Sequence, residues 1–266
     1  MLKSRIITGF ALAFIMLGAI YLLPLPAYAV FFWLVGGAGA YEFAGLAGME
    51  RPAWRWLYVG IYSALVALTA LYEPLTRPAL LAGAAVWIVA LAGVLTYPRS
   101  GPYFRPWVTA VLGILISWSA WIALQVIRES PGGSNWILWM MLLVAFADIG
   151  AYFTGRALGR RKLAPAVSPG KTWEGFWGGM VTSSILCGGI LVLMGRFNGG
   201  WIFIMVLLVV VSVVGDLFES VLKRERGVKD SGTLLPGHGG ALDRLDSAVA
   251  VLPYFALILI YANLSN

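Results

Sequence analysis

Two short segments in the second half of the chain repeat one spacing of carboxylates. Asp216 and Glu219 are three residues apart, and Asp243 and Asp246 repeat that interval 27 residues later. Residues three apart lie on one face of a helix, so each segment would offer two carboxylates to the same space. Hard divalent cations prefer such oxygen ligands and keep several of their own waters. The spacing therefore favours a metal site formed by two helix ends.

The same carboxylates could instead be neutralised by salt bridges. Lys223 lies one helical turn after Glu219, and Arg244 directly follows Asp243. A carboxylate and a cation four residues apart on a helix form a pair without any metal. The sequence leaves both interpretations open, and the presence of two acidic segments favours the metal.

Two glycine-containing segments offer groups that bind phosphate. Residues 168–172 read Ser-Pro-Gly-Lys-Thr and bring a cation and two hydroxyls to a predicted helix start, where unpaired N–H groups attract anions. Residues 236–240 read Pro-Gly-His-Gly-Gly, and their glycines would let backbone N–H groups approach an anion. The first could be a simple helix cap and the second a simple turn. Lys229 and Arg244 flank the second segment and favour a phosphate cradle.

The elements that must position these residues are membrane helices. Hydrophobic residues make up 60% of the chain and charged residues 12%, about half the usual share of soluble domains. Nine apolar runs approach the ~20 residues that span a bilayer. These runs are roughly 5–23, 27–48, 55–73, 78–97, 106–127, 136–155, 174–195, 201–222 and 247–263. We therefore predict an all-α polytopic membrane helical bundle of about nine transmembrane helices.

The basic residues are distributed unequally between the two sides of this bundle. With nine spans, the side of the N-terminus receives all of the 19 Lys and Arg residues except Arg77, Arg128 and Arg196. The positive-inside rule then predicts a cytoplasmic N-terminus and an external C-terminus. The net charge of +7 therefore belongs to membrane topology, and we expect no nucleic-acid partner.

The polar residues divide the chain near residue 130. We interpret 1–130 as an N-terminal region of about five spans and 131–266 as a catalytic region of about four. Glu42 is the one acid inside an early span. It could belong to the site, but we expect it to pack against a neighbouring helix.

A third acidic position lies at the depth of Asp216. Asp148 is seven residues from the inner end of its predicted span and Asp216 is six, so both would lie about 10 Å deep. Asp243 and Asp246 stand where the last span begins. We predict that the last four spans pack together, so that these carboxylates face one cytoplasmic funnel.

The polar segment between the last two spans resembles the signature of the phosphatidate cytidylyltransferases, integral membrane enzymes that make CDP-diacylglycerol. The matching residues are Ser220, Lys223, Arg224, Lys229, Asp230, Gly232, Pro236, His238, Gly239, Gly240, Asp243, Arg244 and Asp246. The resemblance extends to 148–153 and 168–175, whereas the first 130 residues match only in being hydrophobic.

This resemblance implies that phosphatidate attacks the α-phosphorus of CTP, giving CDP-diacylglycerol and pyrophosphate. The residues expected to be catalytic are Asp216, Asp243, Lys223 and His238, the last in a positioning or leaving-group role. Those expected to bind substrate are Ser168, Lys171, Thr172, Ser220, Arg224, Lys229, Asp230, Gly239, Gly240 and Arg244. Those expected to bind metal are Asp216, Asp243, Asp246 and Asp148.

The expected cofactor is Mg²⁺, and a second metal ion is left open. The expected partners are CTP, phosphatidate and membrane lipid, with a homodimer left open. We expect an integral protein of the cytoplasmic (inner) membrane whose active site faces the cytoplasm. The alternatives are a cytidylyltransferase or kinase that acts on another lipid phosphate or a polyprenol, and an ion-coupled transporter, since buried charges in a bundle also mark carriers.

Overall fold

The computed structural model describes residues 2–234 and 239–261. The α-helices of this described part are α1 (Leu2–Leu22), α2 (Leu25–Leu46), α3 (Pro52–Leu71), α4 (Thr76–Thr96), α5 (Pro106–Glu129), α6 (Gly133–Leu158), α7 (Trp173–Leu193), α8 (Gly200–Glu225) and α9 (Leu242–Tyr261). Short 3-10 turns precede α4 and α5, and a hairpin of β1 (Lys162–Ala164) and β2 (Ser168–Thr172) joins α6 to α7. The predicted all-α polytopic membrane architecture is confirmed.

Eight of these helices, α2 to α9, are long and apolar enough to cross a membrane. The apolar part of α1 is shorter than these eight helices and covers Gly9–Leu22. Pro52 and Pro106 are the first residues of their helices, where the missing N–H costs nothing and the fixed backbone angle already suits a helix. The orientation of the termini and the boundary near residue 130 stay predictions.

The α6 and α8 helices continue beyond the ends that hydropathy predicts. Asp148 lies ten residues before the end of α6 at Leu158, and Asp216 lies nine before the end of α8 at Glu225. Because 1.5 Å separates successive helical residues, both carboxylates lie at similar heights, about 14 Å from their helix ends. The extra turns carry polar residues, which is why a hydropathy window stops short of them.

Glycines bring α7 against α6. Gly175 and Gly179 are one turn apart on α7 and face the carbonyl groups of Ala151 and Ala147. A Cβ atom on Gly175 would lie 2.8 Å from the Ala151 oxygen, and one on Gly179 would overlap the Ala147 oxygen. Helices in membranes associate through such small residues because the lipid offers them no hydrophobic driving force. This contact fixes the segment of α6 that carries Asp148.

Replacing Gly179 by leucine is expected to separate α6 from α7. The side chain has no space beside Ala147, so overpacking should destabilise the fold by about 1–3 kcal/mol. Thermal unfolding in detergent measures the effect. Gly189→Leu is the matched control, because Gly189 lies on the same helix with no other atom within 4 Å of its added Cβ. Equal unfolding temperatures for the two variants would contradict the packing described.

A second close contact joins α8 to α9. A Cβ atom on Gly215 would lie 2.5 Å from the carbonyl oxygen of Asp246 and 2.8 Å from the Ala250 methyl group. The backbone of α8 therefore passes directly against the start of α9. Because Asp216 follows Gly215, this contact brings the acidic segments of the two helices together.

An aromatic cluster closes the opposite end of this bundle. Trp136 of α6 stacks on Trp201 of α8 with 5.2 Å between ring centroids. Phe255 of α9 stacks on Trp139 at 5.6 Å, and all four side chains are buried. The cluster holds α6, α8 and α9 together at the end remote from the carboxylates.

Candidate active site

Residues from α6, α7, α8 and both strands of the β-hairpin line one cavity. Asp148 of α6, Lys171 of β2 and Asp216 of α8 belong to its lining, and its volume is about 460 Å³. The Lys171 ammonium forms an ion pair with an Asp216 oxygen, and Asp148 interacts electrostatically with both groups. The side chains of Lys171 and Asp216 keep 27% and 32% of their exposure. One cation and two carboxylates therefore face a space that a ligand can enter.

Contacts with the start of α7 hold the hairpin that carries Lys171. The Thr172 hydroxyl accepts a hydrogen bond from the Gly175 N–H at 3.1 Å and so caps α7. At the second residue of α7, the Glu174 carboxylate accepts the Arg160 N–H at 3.0 Å. Thr172, which was predicted to bind substrate, therefore caps α7 with its hydroxyl. Hydrogen bonds at both ends of the hairpin hold the strand that carries Lys171.

Two further carboxyl groups lie deeper, between α8 and α9. Glu219 is 3% exposed, and no described residue donates a hydrogen bond to either of its oxygens. Asp246 lies beside it and also interacts electrostatically with Asp216. Neighbouring buried carboxyl groups need a shared proton or a cation between them. The acidic groups therefore continue from the open cavity into the protein, and one of them has unused ligand capacity.

Asp243 is the centre of a hydrogen-bond network. Its Oδ1 accepts the Lys223 ammonium at 2.7 Å. Its Oδ2 accepts the Ser231 N–H at 2.9 Å, the Ser231 hydroxyl at 3.0 Å and the Gly240 N–H at 2.8 Å. Gly239 has a φ of +83°, and a Cβ there would lie 2.7 Å from Oδ2. The glycines thus let the loop fold around a carboxylate, and the Gly240 N–H, expected to face phosphate, faces Asp243.

Glu42 holds the same loop from the N-terminal half of the chain. This α2 residue is 5% exposed and accepts the N–H groups of Ala241 at 3.0 Å and Leu242 at 2.8 Å. It also accepts the Ser231 hydroxyl at 3.2 Å. Packing against a neighbouring helix was the favoured expectation for Glu42, with a place in the site left open, and its bonds to this loop were not predicted. Its one signal was an acid inside an apolar span, which is costly unless it has partners.

The other predicted site residues lie on β2, on α8 and on or beside the loop before α9. Ser168 begins β2, Ser220 follows Glu219 on α8 and is half-buried, and Arg224 donates from Nε to the Val167 carbonyl at 3.3 Å. Three charged residues are exposed on or beside the loop: Lys229, Asp230 and Arg244. His238 and Pro236 lie outside the described residues.

The structure contains the salt bridges that the sequence analysis weighed against a metal. Lys223 lies 2.7 Å from Asp243 and 3.4 Å from Glu219, and Lys171 pairs with Asp216. Within 2–234 and 239–261, no group of three or more His, Cys, Asp or Glu side chains is arranged to hold a metal ion. Five carboxylates nevertheless share two lysines in this region, namely Asp148, Asp216, Glu219, Asp243 and Asp246.

A bundle of membrane-length helices defines an integral membrane protein, and charged groups of α6, α8 and β2 face one of its cavities. The chain belongs to the cytidylyltransferase family, whose model matches residues 3–262. The resemblance seen in the sequence is thereby confirmed. The match also includes most of the first 130 residues, which the sequence analysis related to the family only by their hydrophobicity.

Three relatives are similar to the chain over nearly its whole length. A phosphatidate cytidylyltransferase of Pseudomonas aeruginosa is 43% identical over 265 residues, 97% of either chain. The phosphatidate cytidylyltransferase of Haemophilus influenzae is 35% identical and covers 96% of this chain and 98% of its own. That of Brucella suis biovar 1 is 38% identical and covers 94% of this chain and 90% of its own.

Proposed function

We propose that this protein is a CTP-dependent phosphatidate cytidylyltransferase of phospholipid biosynthesis. A phosphatidate oxygen forms a bond to the α-phosphorus of CTP, the bond from that phosphorus to the bridging oxygen of the β-phosphate breaks, and pyrophosphate leaves. The single observation that carries the proposal is the cavity in which Lys171 and Asp216 pair beside Asp148. The names of its relatives support the choice of substrates.

The nucleophile needs little help from a base. A phosphate monoester has a second pKa near 6, so its oxygen is mostly deprotonated at neutral pH. The main obstacle is the repulsion between two polyanions. Lys171 is exposed enough to exchange Asp216 for a phosphate oxygen. Lys223, which pairs with Asp243, belongs to the same group of charged side chains. Fixed cations near the departing pyrophosphate stabilise its developing charge.

We propose Mg²⁺ as the cofactor, bound by the carboxylates predicted from the sequence. The residues fit a cation because they outnumber the lysines, and because the buried oxygens of Glu219 accept no hydrogen bond from a described residue and have a long ion pair, 3.4 Å, with Lys223. Asp216 and Asp243 would hold it, together with Asp246 and Asp148. Mg²⁺ commonly takes one or two carboxylates and completes its shell with water and substrate phosphates. When bound, it neutralises phosphate charge and favours in-line displacement.

We further propose that the protein lies in the cytoplasmic membrane with this site facing the cytoplasm. The excess of Lys and Arg on the side of the predicted N-terminus supports this orientation. Both substrates suit that side, since CTP is soluble and phosphatidate presents its headgroup at the interface. A homodimer stays a prediction, and the mass of the detergent-solubilised particle tests it.

Purified protein given CTP labelled at the α-phosphate, phosphatidate and Mg²⁺ is expected to form a labelled CDP-lipid and to release pyrophosphate in equal amount. Thin-layer chromatography and a pyrophosphate assay measure the two products. Transfer of the γ-phosphate would instead identify a kinase. A CDP-lipid formed only from another lipid phosphate would change the substrate, and vesicle uptake without turnover would identify a transporter.

A further inference from the structure

A carboxylate from the N-terminal half of the chain caps the last membrane helix. Glu42 accepts the N–H groups of Ala241 and Leu242, at the start of α9. The first N–H groups of a helix have no partners within it, and a negative charge there also favours the helix dipole. Glu42 therefore fixes where α9 begins, one residue before Asp243.

The Ser231 hydroxyl links Glu42 to Asp243. Its oxygen lies 3.2 Å from Glu42 Oε2 and 3.0 Å from Asp243 Oδ2. A hydroxyl has one proton and donates to one of these carboxylates at a time. The Ser231 N–H also donates to Asp243 at 2.9 Å, so the serine stays beside Asp243 in either state. Two acids on different helices are thus connected through one loop residue.

Two glycines of the loop leave space for the Glu42 carboxylate. A Cβ atom on Gly232 would overlap Oε1 of Glu42, and one on Gly240 would overlap both Oε2 and the Ser231 hydroxyl. Neither glycine has a positive φ among the described backbone angles, so the need for glycine at these two positions is steric. The loop is shaped around this side chain.

We propose that Glu42 is a positioning residue for the reaction. It holds α9 and the loop before it so that Asp243 faces Lys223, and it acts through Asp243 rather than on substrate. The proposal rests on the proposed function of Asp243, and it makes the site depend on a residue outside the predicted catalytic region 131–266. Loss of the hydrogen bonds to the Glu42 carboxylate should lower the rate of turnover, while every substrate contact is kept.

Glu42→Gln and Glu42→Ala test this role by two independent measurements. Hydrogen exchange should accelerate at the amides of Ala241 and Leu242, because the alanine variant removes both acceptor oxygens and the glutamine variant removes one of them. We expect kcat to fall about 10-fold in the glutamine variant and about 100-fold in the alanine variant. KM for phosphatidate should change by less than about 3-fold, since uniform substrate binding is kept.

Thr69→Val supplies the control for general destabilisation. Thr69 is buried in α3 and bonds to the Leu65 carbonyl and the Trp118 ring N–H, both at 2.8 Å. This variant should unfold at a lower temperature while keeping its kcat and its exchange at residues 241 and 242. If it lowers kcat as much as Glu42→Gln at matched loss of stability, the positioning role is refuted.

A size exchange keeps the proposal testable where Glu42→Ala does not fold. Gly232→Ala should impair the enzyme because its methyl group overlaps the Glu42 carboxylate. Adding Glu42→Asp shortens the acid by one methylene, so the double variant should be more active than Gly232→Ala alone. A double variant that is no better, or normal kcat and exchange in Glu42→Gln, overturns the inference. A wild-type protein that forms no CDP-lipid would refute the proposed function, while the exchange data would still report on Glu42.

Discussion

Replacing Asp216 by asparagine is expected to lower kcat for CDP-diacylglycerol synthesis about 100- to 1,000-fold, as does the loss of one electrostatic partner of a transition state. Asparagine keeps the shape of the side chain but removes its charge. It leaves Lys171 without its ion-pair partner and removes one nearby negative charge from Asp148 and from Asp246. Steady-state release of pyrophosphate by purified enzyme, titrated with Mg²⁺, measures the effect.

Ser212→Ala is the matched control for this substitution. Ser212 lies one turn before Asp216 on α8, is buried, and donates to the Val209 carbonyl at 2.9 Å. Its loss removes a polar atom from the same helix face without changing any charge, so activity should stay within about 2-fold of wild type. Near-normal turnover by Asp216→Asn at saturating CTP would contradict the assignment of Asp216 to the site.

Hydrophobicity was sufficient to predict α2 to α9 because each of these apolar runs is long enough to be unambiguous. It could not predict their ends. The α6 run was predicted over 136–155, whereas the helix extends from Gly133 to Leu158. Residues 162–172 form a hairpin that the sequence analysis treated as loop, since strands of three and five residues are too short to show a period.

The local part of the site was also predictable. Asp216 and Glu219 are three residues apart, and residues at that interval lie on one face of a helix, so the sequence predicted that they face the same space. The partners of these acids were not predictable, because they depend on how separate helices meet. Lys171 reaches Asp216 from the hairpin, and Glu42 bonds to residues 199 and 200 positions away. Hydropathy and local spacing contain no information on such contacts.

Replacing Asp243 by asparagine is expected to slow turnover strongly and also to loosen the loop. An amide has one acceptor oxygen and one donor nitrogen. Whichever way it turns, its NH₂ group meets the Lys223 ammonium or the N–H groups of Ser231 and Gly240. The pair with Lys223 is mostly buried, with side-chain exposures of 14% and 8%, and breaking a buried pair costs about 3–5 kcal/mol.

A double-mutant cycle separates this effect from general damage. Lys223→Met alone removes the cation, and in the Asp243→Asn background it should cost less further stability, because the lysine has already lost its shorter ion pair there and keeps the 3.4 Å contact with Glu219. Thermal unfolding of the four proteins gives the coupling free energy, and kcat is expected to fall about 100- to 1,000-fold in both variants that carry asparagine. Tyr254→Phe is the control, since its hydroxyl bonds the Ala84 carbonyl at 2.8 Å further along α9. Additive losses of stability would mean that Asp243 and Lys223 do not form the pair described. Another residue would then have to connect the hydrogen bonds that order this loop.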